Sequence, residues 1–469
     1  MNNYNIMEKY IEKSKDLNVY GSFDVIVVGG GTAGAVAAIA AAREGMTVLI
    51  VEQFGALGGL STLGVVTPVM HSGIKGNPMC SGISDELNNY CLDEGFSFKD
   101  GNSNAGYNDP LFLRFAFEEL ALKAGVKILY HTYFSDVIKE GNILKGIIVE
   151  NKAGRQAIFG KRICDASGDA DVSVMAGVGY EKGNPETGKC QPISLRYIVG
   201  GIDIPAFVAF NSEIAGAEMG YKYPIYHNSV TTHDNTPLRP IFEKAVAAGD
   251  LDQEDAEYWQ VFGIPGRHDG LAFNCPEFFD EVDGTNPDVL SKTQQEGRRR
   301  IKRHLNFYKK YFKGFENAYI AEIAEMVGIR ESRRIISEYV LTAEDVVKRR
   351  KFEDMICQSN YPVDIHGAGS EYLCKILESE DRDPIPFYEI PYLCLVPKGM
   401  ENLIVAGRCI GNDFISQSST RVQHSCRAFG EAAGIACAMS IKNDTSFKDI
   451  KGKDVRTIMI ENGAKFAVK

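Results

Sequence analysis

The chain is poor in the features that mark several protein classes. Tryptophan occurs once and histidine eight times in 469 residues, and acids outnumber bases 62 to 51, for a net charge of −11. That balance excludes a general nucleic-acid binder, because neutralising a phosphate backbone needs a basic surface. The one dense basic run, Arg298-Arg299-Arg300-Ile301-Lys302-Arg303, falls in a segment that reads as a polar helix and is expected to be a solvated face. The 11 cysteines show no C-x-x-C and no ligand-like clustering. This argues against a disulfide framework and against a cysteine-held zinc or iron–sulfur centre, and no metal site is expected. Reduced cysteines packed as small apolar residues are expected instead. No apolar run is long enough to span a bilayer. Residues 1–22, with Glu8, Lys9, Glu12, Lys13, Lys15 and Asp16, read as an extension that is neither signal peptide nor anchor. The expectation is a cytoplasmic protein with neither a membrane nor a nucleic-acid partner.

What is present begins at Asp24-Val25-Ile26-Val27-Val28-Gly29-Gly30-Gly31-Thr32-Ala33-Gly34. An apolar strand runs into G-x-G-x-x-G, the Ala-rich segment from Ala35 to Ala42 reads as a helix, and Thr47–Val51 reads as a second buried strand ending at Glu52. This is a βαβ unit with a dinucleotide fingerprint in register. Gly29 permits the tight turn, Gly31 lets backbone approach a pyrophosphate, and Gly34 lets helix and strand pack closely. The helix N-terminus offers free N–H groups and a positive dipole end to the phosphates, and Glu52 is placed to accept from ribose hydroxyls.

At 44% hydrophobic and 24% charged, the rest is ordinary globular composition, and the length suggests two or three domains. Leu57–Gly64 is too glycine-rich for a regular helix and too apolar for a solvent loop, which suits backbone close to a ligand. Asp109-Pro110 opens an amphipathic helix, and strands are expected at Lys127–Tyr130, Thr132–Lys139, Ile143–Glu150 and Gln156–Phe159. Arg162-Ile163-Cys164 then runs into the acidic turn Asp165–Asp171. From Gln191 to Asp383 apolar strands disappear until Ile329, and prolines, aromatics and polar helices take over. The organisation expected is a Rossmann-like α/β domain of residues 23–190 and 384–469, interrupted by an α+β substrate or cap domain of residues 191–383. Another apolar strand ends at Gly407-Arg408, and a helix rich in small residues is expected from about Thr420 to Ser440.

Nothing in the βαβ unit separates flavin from nicotinamide. Flavin is favoured because the fingerprint lies near the start, no second G-x-G-x-x-G follows, and the other glycine-rich segments are far apart, as an extended cofactor requires. Phe23–Gly34 with Glu52, Gly58-Gly59, Asp165–Asp169 and Gly407-Arg408 resemble the FAD-dependent oxidoreductases of glutathione-reductase type. The resemblance continues through Gly328–Arg334, Tyr361–Gly367 and Pro397–Ala436, and its nearest branch is the xanthan-lyase-like one, distantly related to fumarate reductase flavoproteins. It implies FAD held by Gly29, Gly30, Gly31, Thr32, Ala33, Gly34, Glu52, Gln53, Gly59, Leu60, Ser61, Thr62, Ala166, Ser167, Gly168, Gly407, Arg408 and Val422. Non-covalent FAD is expected; the alternative is a covalent link through His71, for which no matching His-Thr pair is seen.

The chemistry expected is hydride transfer between flavin N5 and a small organic substrate bound between the FAD and cap domains. The catalytic candidates are His366, in a loop before the return to the FAD domain, Arg330, and Arg421, which with His424 opens the last helix. Each has a plainer reading as a structural hydrogen-bond or salt-bridge partner. The alternatives are an FAD-carrying electron-transfer subunit that needs a protein partner, and a non-redox flavoenzyme such as an isomerase or lyase. Electrons could also come from transiently bound NAD(P)H. The aromatic segment Leu305–Phe315 suits either a homo-oligomer contact or core packing.

Overall fold

Four consecutive apolar residues, Val25 to Val28, leave a strand no polar face, so it has to be covered on both sides. They end β1 (Asn18–Val28), which α1 (Thr32–Arg43) joins to the equally apolar β2 (Val48–Val51). The two strands pair in parallel, Val25 with Val48 through Val28 with Val51. The structure, a computed structural model, describes residues 10–70, 73–74, 77–99, 106–218, 223, 226–231, 236–280, 282–366 and 387–467.

As the sequence indicates, Asp109 caps α2 (Pro110–Lys123), accepting from the backbone N–H groups of Leu111 and Phe112. The chain then forms β3 (Lys127–Leu129), β4 (Tyr133–Glu140), β5 (Ile143–Asn151) and β6 (Gly154–Asp165). The two short segments read at 156–159 and 162–164 are one strand. Its first half pairs antiparallel with β5, and its whole length runs parallel to β1 from Asn18–Gln156 to Val28–Asp165. Residues 18–22, assigned to an N-terminal extension by their polarity, are therefore sheet. With a seventh strand, Leu403–Val405, beside β6, the sheet has the order β3-β2-β1-β6-β5-β4, a mixed sheet with a parallel Rossmann-like centre.

The expectation that strands vanish after residue 191 is overturned. The cap contains a five-stranded antiparallel sheet of β7 (Tyr197–Gly200), β8 (His227–Thr231), β9 (Tyr258–Ile264), β10 (Arg267–Phe273) and β11 (Tyr319–Ile323), in the order β8-β9-β10-β7-β11. One face, with Tyr197, Val230, Trp259, Val261 and Phe273, is buried in the cap core together with Ile301, Phe307 and Tyr308 of α3 (Pro287–Tyr311). The intervening residues, Tyr258, Gln260 and Phe262 among them, look the other way into a cavity. The basic run in α3 is only partly solvated. Arg300 is buried with its guanidinium over the Phe278 ring, and Arg303 pairs with Asp255 at 2.7 Å.

Ile335, Leu341, Val346, Ile356 and Val363 belong to the core of the first domain, not of the cap. Residues 335–363, expected within the insertion, thus pack on the Rossmann-like side. There the chain forms β12 (Met355–Ser359), β13 (Tyr388–Pro391) and β14 (Leu403–Val405), the last parallel to β6. A separate short helix, α4 (Phe414–Thr420), precedes α5 (Gln423–Lys442), the long helix expected from about Thr420 to Ser440. Arg421 caps the first of these and so does not open the second.

α5 lies directly on α1. A Cβ on Gly430 would fall on the Ala33 carbonyl oxygen, and one on Gly434 on that of Ala37. Gly434→Ala is expected to destabilise the protein by about 1–3 kcal/mol through overpacking. Denaturant unfolding of the purified protein tests this, and unchanged stability would contradict backbone contact between the helices. All ten cysteines among the described residues are buried and free.

Candidate functional site

The fingerprint turn is built as its glycines require. Gly29 has φ +95°, and a Cβ there would lie 2.5 Å from the Ala166 carbonyl oxygen. Gly34 is packed so tightly that its Cβ would fall on the Gly29 carbonyl oxygen. At Gly31 an added Cβ meets nothing within 4 Å, and the residue borders the cavity. No side chain caps α1, and no acid lies in its first turn. Its first turn, with the positive dipole end, borders the cavity, an arrangement that suits a diphosphate.

Glu52 does something the sequence did not indicate. Its Oε2 accepts from Gly30 N–H at 2.6 Å and its Oε1 from Phe54 N–H at 2.8 Å, so it braces the glycine turn. Burial pushes its carboxyl up from the ordinary value, against these bonds. Each oxygen keeps a second lone pair, and Glu52 still borders the cavity.

The cavity, of 490 Å³, runs between the Rossmann-like sheet and the cap sheet. Of the residues expected at FAD, Gly29, Gly31, Thr32, Ala33, Glu52, Gln53, Gly59, Leu60, Ala166, Ser167, Gly168, Gly407, Arg408 and Val422 line it. Gly30, Gly34, Ser61 and Thr62 do not. The two hydroxyls are buried and donate to the carbonyls of Gly58, at 2.7 Å, and Leu57, at 2.7 Å, which shapes the second glycine loop from behind. Asp165 is likewise structural, because its carboxylate accepts from both N–H and hydroxyl of Ser167 and of Ser173. His71 lies outside the described residues.

His366, Arg330 and Arg421 all border the same cavity. Arg330 Nη2 lies 2.6 Å from Glu277 Oε1, and its Nη1 donates to the Pro192 carbonyl at 2.8 Å. Arg421 Nη2 donates to Asp364 Oδ2 at 3.1 Å, and Tyr361 donates to the same oxygen at 2.8 Å. His366 bridges these pairs, with Nδ1 2.9 Å from Glu277 Oε1 and Nε2 3.5 Å from Asp364 Oδ1. Burial, and then Arg330, pull the imidazole down, but Glu277 and Asp364 outweigh both and raise it above its ordinary value. Burial alone would raise the two carboxyls. The cations reverse this, chiefly Arg330 on Glu277 and His366 on Asp364, and both end below the usual range. The arrangement stabilises an imidazolium able to give up a proton in the cavity. His424, by contrast, is buried in α5 and does not line the cavity.

Sequence reasoning missed the cap side of the site. Tyr258 donates to Gln260 Oε1 at 2.7 Å, Asn274 Nδ2 donates to the same oxygen at 2.8 Å, and the Tyr258 ring meets His366 edge-on with centroids 5.1 Å apart. Arg196 and Ser194 also line the cavity. The available signal was alternation, apolar with polar, along Ile193-Ser194-Leu195-Arg196-Tyr197 and Trp259-Gln260-Val261.

The family described as FAD dependent oxidoreductase matches residues 24–459. The chain belongs to the FAD-dependent oxidoreductase family. It is a flavoenzyme, with FAD as its cofactor and flavin redox chemistry as its class of activity. No curated protein matches the chain in sequence. Among solved structures it is similar to a flavin-dependent brominase, with 13% identity over 94% of this chain and 83% of that one and a TM-score of 0.47. It is also similar to a geranylgeranyl bacteriochlorophyll reductase-like protein of Thermoplasma acidophilum, with 15% identity over 94% and 84% and a TM-score of 0.43. A third is p-nitrophenol 4-monooxygenase of Pseudomonas putida, with 11% identity over 94% and 86% and a TM-score of 0.44. No helix among the described residues of this family member is long and apolar enough to cross a membrane.

Proposed function

We propose that this family member transfers a hydride to or from a small organic substrate held between the FAD-binding part and the cap. The xanthan-lyase-like branch is our assignment within the family. When bound, FAD supplies a two-electron hydride donor or acceptor. In this reading the α1 N-terminus with Gly29, Gly31, Thr32 and Ala33 takes the diphosphate, and Glu52 and Gln53 take the adenosine ribose. Gly59, Leu60, Ala166, Ser167, Gly168, Gly407, Arg408 and Val422 line the rest of the cofactor's path. The fit rests on the open space at Gly31 and the uncapped helix end.

His366 carries the proton that accompanies the hydride, with Nε2, at 3.5 Å from Asp364, as the atom that exchanges it. Arg330 and Arg421 already hold carboxylates, so their part is to keep Glu277 and Asp364 ionised and the imidazole oriented. Tyr258, Gln260 and Asn274 wall the substrate side and exclude water. The observation that most supports this reading is a single cavity bordered at once by the glycine turn and by an imidazole between two carboxylates.

The test is anaerobic bleaching of the bound flavin by a metabolite panel. The purified protein is expected to be yellow, to release its colour on denaturation, and to bleach with a small molecule. Bleaching only by a protein donor would favour the electron-transfer alternative, and products of unchanged oxidation level would favour an isomerase or lyase. Full turnover and normal flavin content in His366→Ala, Arg330→Ala and Arg421→Ala would refute the site assignment.

A further inference from the structure

The cap presents to the cavity a cation, Arg196, that holds no carboxylate of its own among the described residues. Arg196 lies at the edge of β7, between Leu195 and Tyr197, both fully buried in the cap core. Strand alternation turns its side chain to the opposite face, where it borders the cavity beside Ser194. Its carbonyl accepts from Ala324 N–H at 2.9 Å, which ties the backbone into the sheet and fixes the direction of the side chain.

The three arginines that meet here differ in what they hold. Arg330 has Glu277 at 2.6 Å and Arg421 has Asp364 at 3.1 Å. Among the described residues no carboxylate lies within 4 Å of the Arg196 guanidinium, and Glu277 attracts it only at longer range. Burial, and then Arg330, draw its pKa down to about 10, which still leaves it charged at neutral pH. With His366 protonated, Arg196, Arg330, Arg421 and His366 face Glu277 and Asp364, so this end of the cavity carries an excess of positive charge. Arg196 is half-buried, so its guanidinium opens onto the cavity and is free to pair with an anion that enters there. Its planar fork matches a carboxylate, through two parallel N–H···O bonds. Of the neighbouring groups, Gln260, Tyr258, Asn274 and Ser194 are neutral, and the nearby carboxylate of Glu277 is already held by Arg330 and His366.

We propose that Arg196 anchors a carboxylate of the substrate, so that the enzyme acts on an organic acid. This rests on the reading of the cavity as the substrate site of an FAD enzyme. The carboxylate sits on the cap side, and the bond to be oxidised or reduced projects from it toward His366 and the flavin. A carboxylate is favoured over a phosphate because the donor here is a lone planar fork, whereas the helix N-terminus and glycine backbone suited to phosphate lie at the other end of the cavity.

The experiment uses the holoprotein, with flavin content measured first, and follows the visible flavin band and the melting temperature during titration. The probes are succinate, glutarate and lactate, with succinamide as the uncharged analogue and orthophosphate as the other oxyanion. The expected result is saturable perturbation by one or more carboxylates and none by succinamide or orthophosphate. Arg196→Gln should weaken that carboxylate about 10- to 100-fold, the loss of a charge-assisted bond, with Arg196→Lys in between and flavin content unchanged in both. Three results would overturn the proposal: a flavin-loaded protein that responds to none of the carboxylates, an equal response to succinamide or orthophosphate, or an Arg196→Gln variant that binds as tightly as the parent. Loss of flavin from Arg196→Gln with carboxylate affinity unchanged would place the residue on the cofactor and also overturn it. A protein that takes up no FAD at all would instead sink the underlying reading of the cavity, and flavin content separates that outcome from the others.

Discussion

Gly31→Asp is expected to purify as a folded, colourless protein. Gly31 has φ −65°, which any L-residue adopts, and an added Cβ meets no atom within 4 Å. The fold therefore tolerates the side chain, while the carboxylate enters the space in front of α1. A negative charge close to a diphosphate reverses the attraction that the helix dipole supplies and blocks close backbone approach. Even at the effective dielectric of a partly exposed site, repulsion of about 4 kcal/mol corresponds to roughly a thousandfold weaker FAD binding. The measurements are flavin-to-protein ratio, the dissociation constant for added FAD, and far-ultraviolet circular dichroism to show the fold intact. Gly34→Val is the contrast. There the side chain collides with the Gly29 carbonyl oxygen and lies 2.9 Å from the Ala166 methyl, so stability falls together with flavin. Tight FAD binding by folded Gly31→Asp would move the diphosphate away from this helix end.

The second large effect is expected at the histidine. His366→Asn should slow flavin bleaching by substrate about 10²- to 10⁴-fold, the usual contribution of a positioned acid or base, with flavin content kept. The pH dependence follows from the signs. His366 is raised above its ordinary value by its two carboxylate neighbours, so the protonated form persists to higher pH than for a free imidazole. Glu277→Gln removes one of those carboxylates, and the limb of the kcat/KM profile assigned to His366 should move to lower pH. The same groups bear on stability. The stabilisation from charged His366 is fully present below the free imidazole value of about 6.5 and is lost as pH rises through its raised value. Asp364 and Glu277, both depressed, stabilise above the ordinary carboxyl range, and that contribution is lost as pH falls through their lowered values. Glu277→Gln also strands Arg330 as a buried cation, which should cost about 3–5 kcal/mol of stability. A pH profile unchanged in Glu277→Gln, together with full activity in His366→Asn, would exclude the imidazole from the chemistry.

Local chemistry along the chain was enough for some features. Short-range constraints wrote the βαβ unit plainly: an apolar strand without a polar face, glycines where backbone must turn or nearly touch, and Asp109 before Pro110 at a helix start. Other elements were obscured because their partners are remote. β6 looked like two strands because Gly160 and Lys161 interrupt its apolar pattern, and only pairing with β1 along its whole length joins them. The cap sheet was missed because its strands mix polar residues with apolar ones, as at Tyr258-Trp259-Gln260-Val261 and Arg267-His268-Asp269-Gly270-Leu271, so none shows a continuous apolar run. Arg421 was placed on the last helix because Thr420 to Ser440 reads as one run, whereas the chain breaks at Val422, which adopts an extended φ of −66° and ψ of 153°.

The sequence by itself determined the Rossmann-like unit, a turn suited to a diphosphate, and hence a dinucleotide as the kind of cofactor. These depend on residues close together in the chain, whose steric and hydrogen-bonding demands can be met in few ways. Only the tertiary structure decided that Glu52 braces Gly30, that His366 stands between Glu277 and Asp364, and that Arg196 faces the cavity with no carboxylate of its own among the described residues. Those facts are distances between residues up to hundreds of positions apart, and whether a cation is neutralised depends on which carboxylates the folded chain brings within reach.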